Sequence, residues 1–155
     1  MVVSPDIHGR RNRRVGHHQI ERVDPYWERR RQIWARYMDA FADLPVTLPA
    51  PCADDERHAL HLFTVLVDEQ QAGLSRDQAL VALHEQNIGT GVHYRSIPDL
   101  KIYRERFGWR ADEWPHAKHI GDRTLSLPLS ARLSEADVED VVAAVRHVLA
   151  RGRGG

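Results

Sequence analysis

Ile20, Val23, Trp27, Arg30, Trp34, Tyr37, Phe41 and Leu44 recur at alternating steps of three and four residues, which lays them along one face of a helix. Arg30 alone interrupts the stripe. This pattern constrains the fold more than any other, because a face with two tryptophans, a tyrosine and a phenylalanine must bury a large area against something. Pro25 suits a first helical turn, where its missing amide hydrogen is not needed, so the helix is expected over 24–44 with Asp24 as its N-cap. Pro45 stops it. So broad an aromatic face also raises the expectation of a partner surface beyond the chain itself.

Downstream the periodicity changes repeatedly. Residues 45–57, rich in proline, alanine and acids, read as a loop. The run from His61 to Val67 is β-branched and apolar enough for a central strand. Ser75 and Gln78 form a capping box that opens a helix to about Gln86, and Asn87 suits its end. Gly89 to Arg95 reads as a glycine-interrupted strand closed by Pro98. Ile102, Tyr103 and Phe107 have helical spacing and stop at Gly108; a second short helix is expected over 113–120. Thr124 to Leu127 alternates like a strand. Ser134 and Asp137 cap a closing helix whose apolar stripe is Val138, Val141, Val142, Val145, Val148 and Leu149. The expected architecture is α+β: a small three- to four-stranded sheet with helices packed mainly on one face.

At 155 residues, 42% of them hydrophobic, the chain can bury one ordinary core. The 22 basic side chains equal the 22 acidic ones, so no overall field draws the molecule to nucleic acid or an anionic membrane. The distribution is uneven: residues 1–36 hold nine arginines against four acids. Residues 1–18 show neither helical nor strand periodicity and are expected to be a disordered basic tail, as is the frayed end 151–155. The single cysteine, Cys52, fits a reducing, cytoplasmic setting and lacks a basic neighbour that would activate it. No apolar run is long enough to cross a membrane. His58 with His61, and His116 with His119, are spaced by three but lack further ligands, and His17 with His18 lie in the tail, so no metal site is expected.

Several segments in order then resemble a known family. They are Gln19 to Asp24 leading into Arg29 to Tyr37, then His61-Leu62-Phe63, Gly89-Thr90-Gly91-Val92-His93-Tyr94, Tyr103 to Gly108, Ser126-Leu127-Pro128-Leu129, and Leu133 to Val138. Together they are similar to the C-terminal signatures of the DegT/DnrJ/EryC1/StrS sugar aminotransferases, over about 19–149. The resemblance implies the small C-terminal domain of a fold-type I enzyme that uses pyridoxal phosphate (PLP) on nucleotide-linked keto-sugars and works as a homodimer. It implies a unit over 19–150, with the helix 24–44 leading in from a large domain. That large domain carries the cofactor on a lysine. Neither Lys101 nor Lys118, the only two lysines, lies in a sequence like the cofactor-lysine motif.

The expectation is therefore a family segment without its PLP lysine, not catalytic alone, from an interrupted gene or a misassigned start. The resemblance directs attention to His93, Tyr94 and Arg95, since the matching histidine segment of the family faces the substrate cleft. If extended, His93 and Arg95 project from one face and Tyr94 from the other. Histidine and tyrosine offer hydrogen bonds to sugar hydroxyls, and arginine offers a planar fork to phosphate. Many members have proline after the histidine and tyrosine; Arg95 looks more like the branch acting on 4-keto-arabinose nucleotides. Two other readings stand beside this one: a half-enzyme that pairs with a separate large-domain chain, and a non-catalytic module binding a nucleotide-sugar or, through its arginines, RNA. A membrane partner is not expected.

Overall fold

The computed structural model describes residues 6–51, 53 and 55–150, with side chains from residue 19 onward. Cys52 and the expected frayed end 151–155 lie outside the described residues, as do the side chains of His17 and His18. The chain opens with a 35-residue helix, α1, Asp6–Ala40, that runs through Pro25. It starts well before Asp24, so the stretch 6–18, expected as disordered tail, belongs to the helix. The stretch carries no helical apolar period by which it could be read, and farther along Ile20 and Val23 are 73% and 52% exposed. Arginine is a good helix former, and extending an existing helix costs far less than nucleating one.

Burial begins farther along α1. Ile33, Tyr37, Ala40 and, just beyond the helix, Phe41 and Leu44 enter the core. Trp34 packs edge-on against Phe63 at 4.8 Å between ring centroids, and Tyr37 does the same at 5.2 Å. The aromatic face thus finds its partner within the chain, which removes it as a reason to expect an external surface.

A two-residue strand β1, Val46–Thr47, follows inside the expected loop. It pairs antiparallel with β2, Phe63–Val67, which pairs antiparallel with β3, Thr124–Leu127, so the sheet has three strands in the order β1-β2-β3. The central position expected for the strand ending at Val67 is correct. Phe63 opposes Leu127 and Val65 opposes Leu125, so the core side chains of both strands share one face, while Thr64 and Leu66 oppose Ser126 and Thr124 on the other.

Between β2 and β3 lie α2 (Glu69–Ala72), α3 (Arg76–Glu85), α4 (Lys101–Phe107) and α5 (Pro115–Arg123); α6 (Glu135–Ala150) closes the chain. Ser75 caps α3 reciprocally, its Oγ accepting from Gln78 N at 3.2 Å and its own N–H donating to Gln78 Oε1 at 2.8 Å. At the far end Asn87 takes a left-handed φ of 62°, and the bonds Asn87 N to His84 O and Ile88 N to Leu83 O complete a Schellman stop. Gly108, at φ 67°, ends α4 in the same conformation. Ser134 caps α6, and every apolar residue expected on its stripe is buried.

Three arginines join α1 to α6. Arg36 grips Glu139 with two bonds of 2.7 Å, and Arg29 holds Glu135 and, at 2.8 Å, the carbonyl of Leu133. Arg146 returns to Asp43 at 2.7 and 2.9 Å and to Ala40 O. The pairs ascend together in number, so the two helices run in the same direction. Tyr37, fully buried between them and the sheet, donates its hydroxyl to Pro128 O at 3.0 Å, and burial drives its phenol far above the ordinary tyrosine range.

Candidate functional site

The candidate site is built on the chain between the end of α3 and the start of α4. Asn87 turns the backbone, Ile88 anchors in the core, and Gly91 reaches the free edge of β3. There the two backbones exchange bonds: Ser126 N to Gly91 O at 2.8 Å and Gly91 N to Ser126 O at 3.1 Å. The pairing stops at this single bridge, so the expected glycine-interrupted strand over 89–95 does not form. Side chains of β3 take over where the ladder would continue. Thr124 Oγ1 donates to His93 O at 3.3 Å, and Ser126 Oγ lies 2.8 Å from His93 Nδ1.

The strict alternation expected for this stretch is therefore lost. His93 is half-buried against β3, whereas Tyr94 and Arg95 are both exposed, Tyr94 by 73%. The His93–Tyr94 peptide bond is cis. The Tyr94 ring meets the imidazole edge-on at 4.9 Å. Gly91 is needed here for space: a Cβ on it would stand 2.9 Å from His93 Cε1. The three expected substrate residues are brought together, but as one ring hydrogen-bonded to β3 beside two exposed side chains. Arg95 has no carboxylate partner among the described residues, unlike Arg29, Arg36 and Arg146, each held by an acid.

Behind the site, Ser96 is buried against α5 so closely that a Cβ at Gly121 would lie 2.4 Å from its backbone nitrogen. The hydroxyls of Thr90 and Ser96 are buried without a partner among the described residues. Arg76, which the sequence marked only as the residue after a cap, is buried and donates through Nη1 to Thr124 O at 2.9 Å and Gly121 O at 3.2 Å, with Nε on Asp77 at 2.6 Å. It ties α3 to the junction of α5 and β3 that supports His93. Nothing in the sequence pattern signals this, because a buried arginine is recognised only by the carbonyls around it.

An open cleft of about 800 Å³ lies between 86–89 and α6 and is lined by Asn87, Gly89, Leu133, Asp137, Asp140 and His147. His93, Tyr94 and Arg95 do not line it. Tyr94 and Arg95 are instead open to solvent. Among the described residues, eight of the eleven exposed large hydrophobic ones fall within 94–120, among them Ile102, Phe107, Trp109 and Trp114 beside this surface in sequence.

Both lysines are exposed and paired. Lys101 Nζ is 3.6 Å from Glu105, and Lys118 Nζ is 2.8 Å from Asp122, whose hydrogen bond and charge hold the ammonium above its ordinary pKa. His58 serves the loop before β2: its ring lies against Trp34 at 5.2 Å, its Nδ1 accepts from Leu60 N at 3.0 Å, and its carbonyl accepts from Trp27 Nε1 at 2.8 Å. Among the described residues no three His, Cys, Asp or Glu side chains converge as a metal site.

Comparison with known proteins shows the family and the fold. The family model described as the DegT/DnrJ/EryC1/StrS aminotransferase family matches residues 13–146. The spore coat polysaccharide biosynthesis protein SpsC of Bacillus subtilis is 40% identical over 136 residues, which cover 87% of this chain and 35% of that protein. Among solved structures, Spr1654 of Streptococcus pneumoniae, described as a sugar aminotransferase, superposes with a TM-score of 0.79 at 25% identity over 88% of this chain and 34% of its own. DesV of S. venezuelae does so with a TM-score of 0.71 at 27% identity over 86% and 34%. Spr1654 has also been solved in PMP and PLP forms. The chain spans about a third of the length of these relatives.

Proposed function

Because the chain belongs to the DegT/DnrJ/EryC1/StrS aminotransferase family, we propose that it forms the substrate-side, C-terminal part of a PLP-dependent enzyme that aminates a nucleotide-linked keto-sugar. The observation that carries this reading is His93, hydrogen-bonded to Ser126, followed by the exposed side chains of Tyr94 and Arg95. Arg95 supplies a planar, charged fork suited to a diphosphate, and Tyr94 and His93 supply hydrogen bonds to sugar oxygens. In this reading 19–150 is the small domain and the helix over 24–44 is the connection into it.

The residues present do not fit the cofactor. PLP supplies the electron sink for amino transfer and is carried by a lysine that must shed its proton, which enzymes arrange by desolvation or a neighbouring cation. Lys118 has the opposite environment, an aspartate that favours the charged form, and Lys101 is exposed beside Glu105. The cofactor lysine then belongs to another stretch of a longer polypeptide or to a partner chain, and this chain alone does not transaminate. The exposed Ile102, Phe107, Trp109 and Trp114 support that reading as a surface such a large domain would cover. A nucleotide-linked substrate and a single cysteine in the sequence suit a cytoplasmic setting, which belongs to the same proposal. Among the described residues no helix is long and apolar enough to cross a membrane.

The test is titration of the 15N-labelled chain with UDP-glucose and dTDP-glucose, followed by amide shifts. The expected result is perturbation centred on 91–96 that weakens by roughly tenfold or more in Arg95→Ala, the value of one charge-assisted hydrogen bond. Shifts elsewhere, or an unchanged affinity in the variant, overturn the assignment of these residues.

A further inference from the structure

Ser126 belongs to a sequence signature, Ser126-Leu127-Pro128-Leu129, to which the reading above gives no task. In β3 its neighbours Leu125 and Leu127 point into the core, so the pleat turns Ser126 to the opposite face, where it is 4% exposed. Its backbone makes both bonds of the bridge to Gly91, and its hydroxyl lies 2.8 Å from His93 Nδ1. Thr124, two residues earlier on the same face, holds the His93 carbonyl.

The direction of the Ser126–His93 bond follows from counting donors. Among the described residues the Ser126 hydroxyl has no other acceptor for its hydrogen. If Nδ1 carried a proton and donated to Ser126, that hydroxyl hydrogen would be buried without a partner, an outcome folded proteins avoid. With Nδ1 accepting, the hydroxyl is satisfied and the ring proton sits on Nε2. Nε2 itself has no partner among the described residues.

The geometry points to Ser126 as a positioning residue: we propose that it fixes His93 in one rotamer and in the Nε2–H tautomer, so that the imidazole offers a hydrogen-bond donor to its ligand and not a base. The ring packs over the backbone of Gly91, where an added Cβ would stand 2.9 Å from Cε1, and the Tyr94 ring meets it edge-on at 4.9 Å. A ring so held selects an oxygen acceptor, such as a sugar hydroxyl or carbonyl or a phosphate oxygen, over a donor group. The chemical class rests on the proposed substrate-facing role of His93, but the tautomer does not. It is measured without ligand, so either can fail alone.

The experiment is long-range 1H–15N correlation on the full chain labelled at histidine, at a pH where His93 is neutral, together with side-chain couplings that report rotamer averaging. Wild type is expected to show a protonated Nε2, an Nδ1 shifted by an accepted hydrogen bond, and a single rotamer. In Ser126→Ala the Nδ1 shift is expected to move to its unbonded value with averaged couplings, while Ser126→Thr keeps the wild-type signature. A protonated Nδ1 in wild type overturns the proposal, and so does a folded Ser126→Ala with unchanged shift and couplings. If the alanine variant does not fold, the wild-type tautomer and the threonine variant decide: loss of the signature in folded Ser126→Thr overturns the proposal, and its retention supports it.

Discussion

Replacing Gly121 by alanine should destabilise the protein, although the residue lies inside α5 and alanine is the better helix former. Helix propensity alone favours the change by about 1 kcal/mol. Against it stands the backbone of the site loop: the new Cβ would lie 2.4 Å from Ser96 N, 3.0 Å from Ser96 Cβ and 3.1 Å from Ser96 Cα. None of these atoms is the end of a flexible side chain, so α5 and the 93–96 segment must separate by about 1 Å to restore contact distance. Such overpacking costs up to about 3 kcal/mol, which leaves a net loss of about 2 kcal/mol, or roughly thirtyfold in the folding equilibrium. With a urea m-value of about 2 kcal/mol/M, the midpoint should fall by about 1 M at unchanged m. Amide shifts in the variant should change most at 93–96, because those residues must give way. A midpoint that stays or rises would refute the close approach of α5 to the site loop.

Tyr37→Phe removes the donor to Pro128 O from a fully buried ring and should cost about 1 kcal/mol near neutral pH, read from the urea midpoint. Because burial raises the folded-state pKa of the Tyr37 phenol, its contribution is complete below the ordinary tyrosine value of about 10 and is lost as pH rises above it. The wild type should therefore lose stability in that alkaline window more steeply than the phenylalanine variant. Arg76→Lys keeps the charge but not the fork that reaches Thr124 O, Gly121 O and Asp77. It should cost about 2 kcal/mol by the same denaturation assay, with His93 resonances disturbed as the α5–β3 junction loosens.

What the sequence made legible was whatever leaves a periodic or stereochemical mark. The caps at Ser75 and Ser134, the stops at Asn87 and Gly108, the apolar stripe of α6 and the strand Thr124 to Leu127 each rest on a local rule that tertiary structure had no reason to override. The front of α1 left no such mark, because its residues carry no apolar period and extending a helix already nucleated requires none. Ile33 and Ala40 were missed for a related reason: the buried arc of α1 is wider than a single row of three- and four-residue steps. At the site, the identity of His93, Tyr94 and Arg95 came from the family resemblance, while their arrangement did not. A strand was expected over 89–95, and the competing bonds from Thr124 and Ser126, some thirty residues away in sequence, could not be read locally. Arg76 belongs to the same class.

In the function proposed above, His93, Tyr94 and Arg95 face substrate on a chain whose two lysines do not suit PLP. The most direct test is to mix the purified chain with PLP, reduce with borohydride, dialyse, and look for a retained chromophore. The expected result is no stoichiometric adduct, since Lys101 and Lys118 are exposed ion-pair partners on the surface. A retained one-to-one chromophore mapping to either lysine would contradict the claim and give this chain a cofactor site of its own.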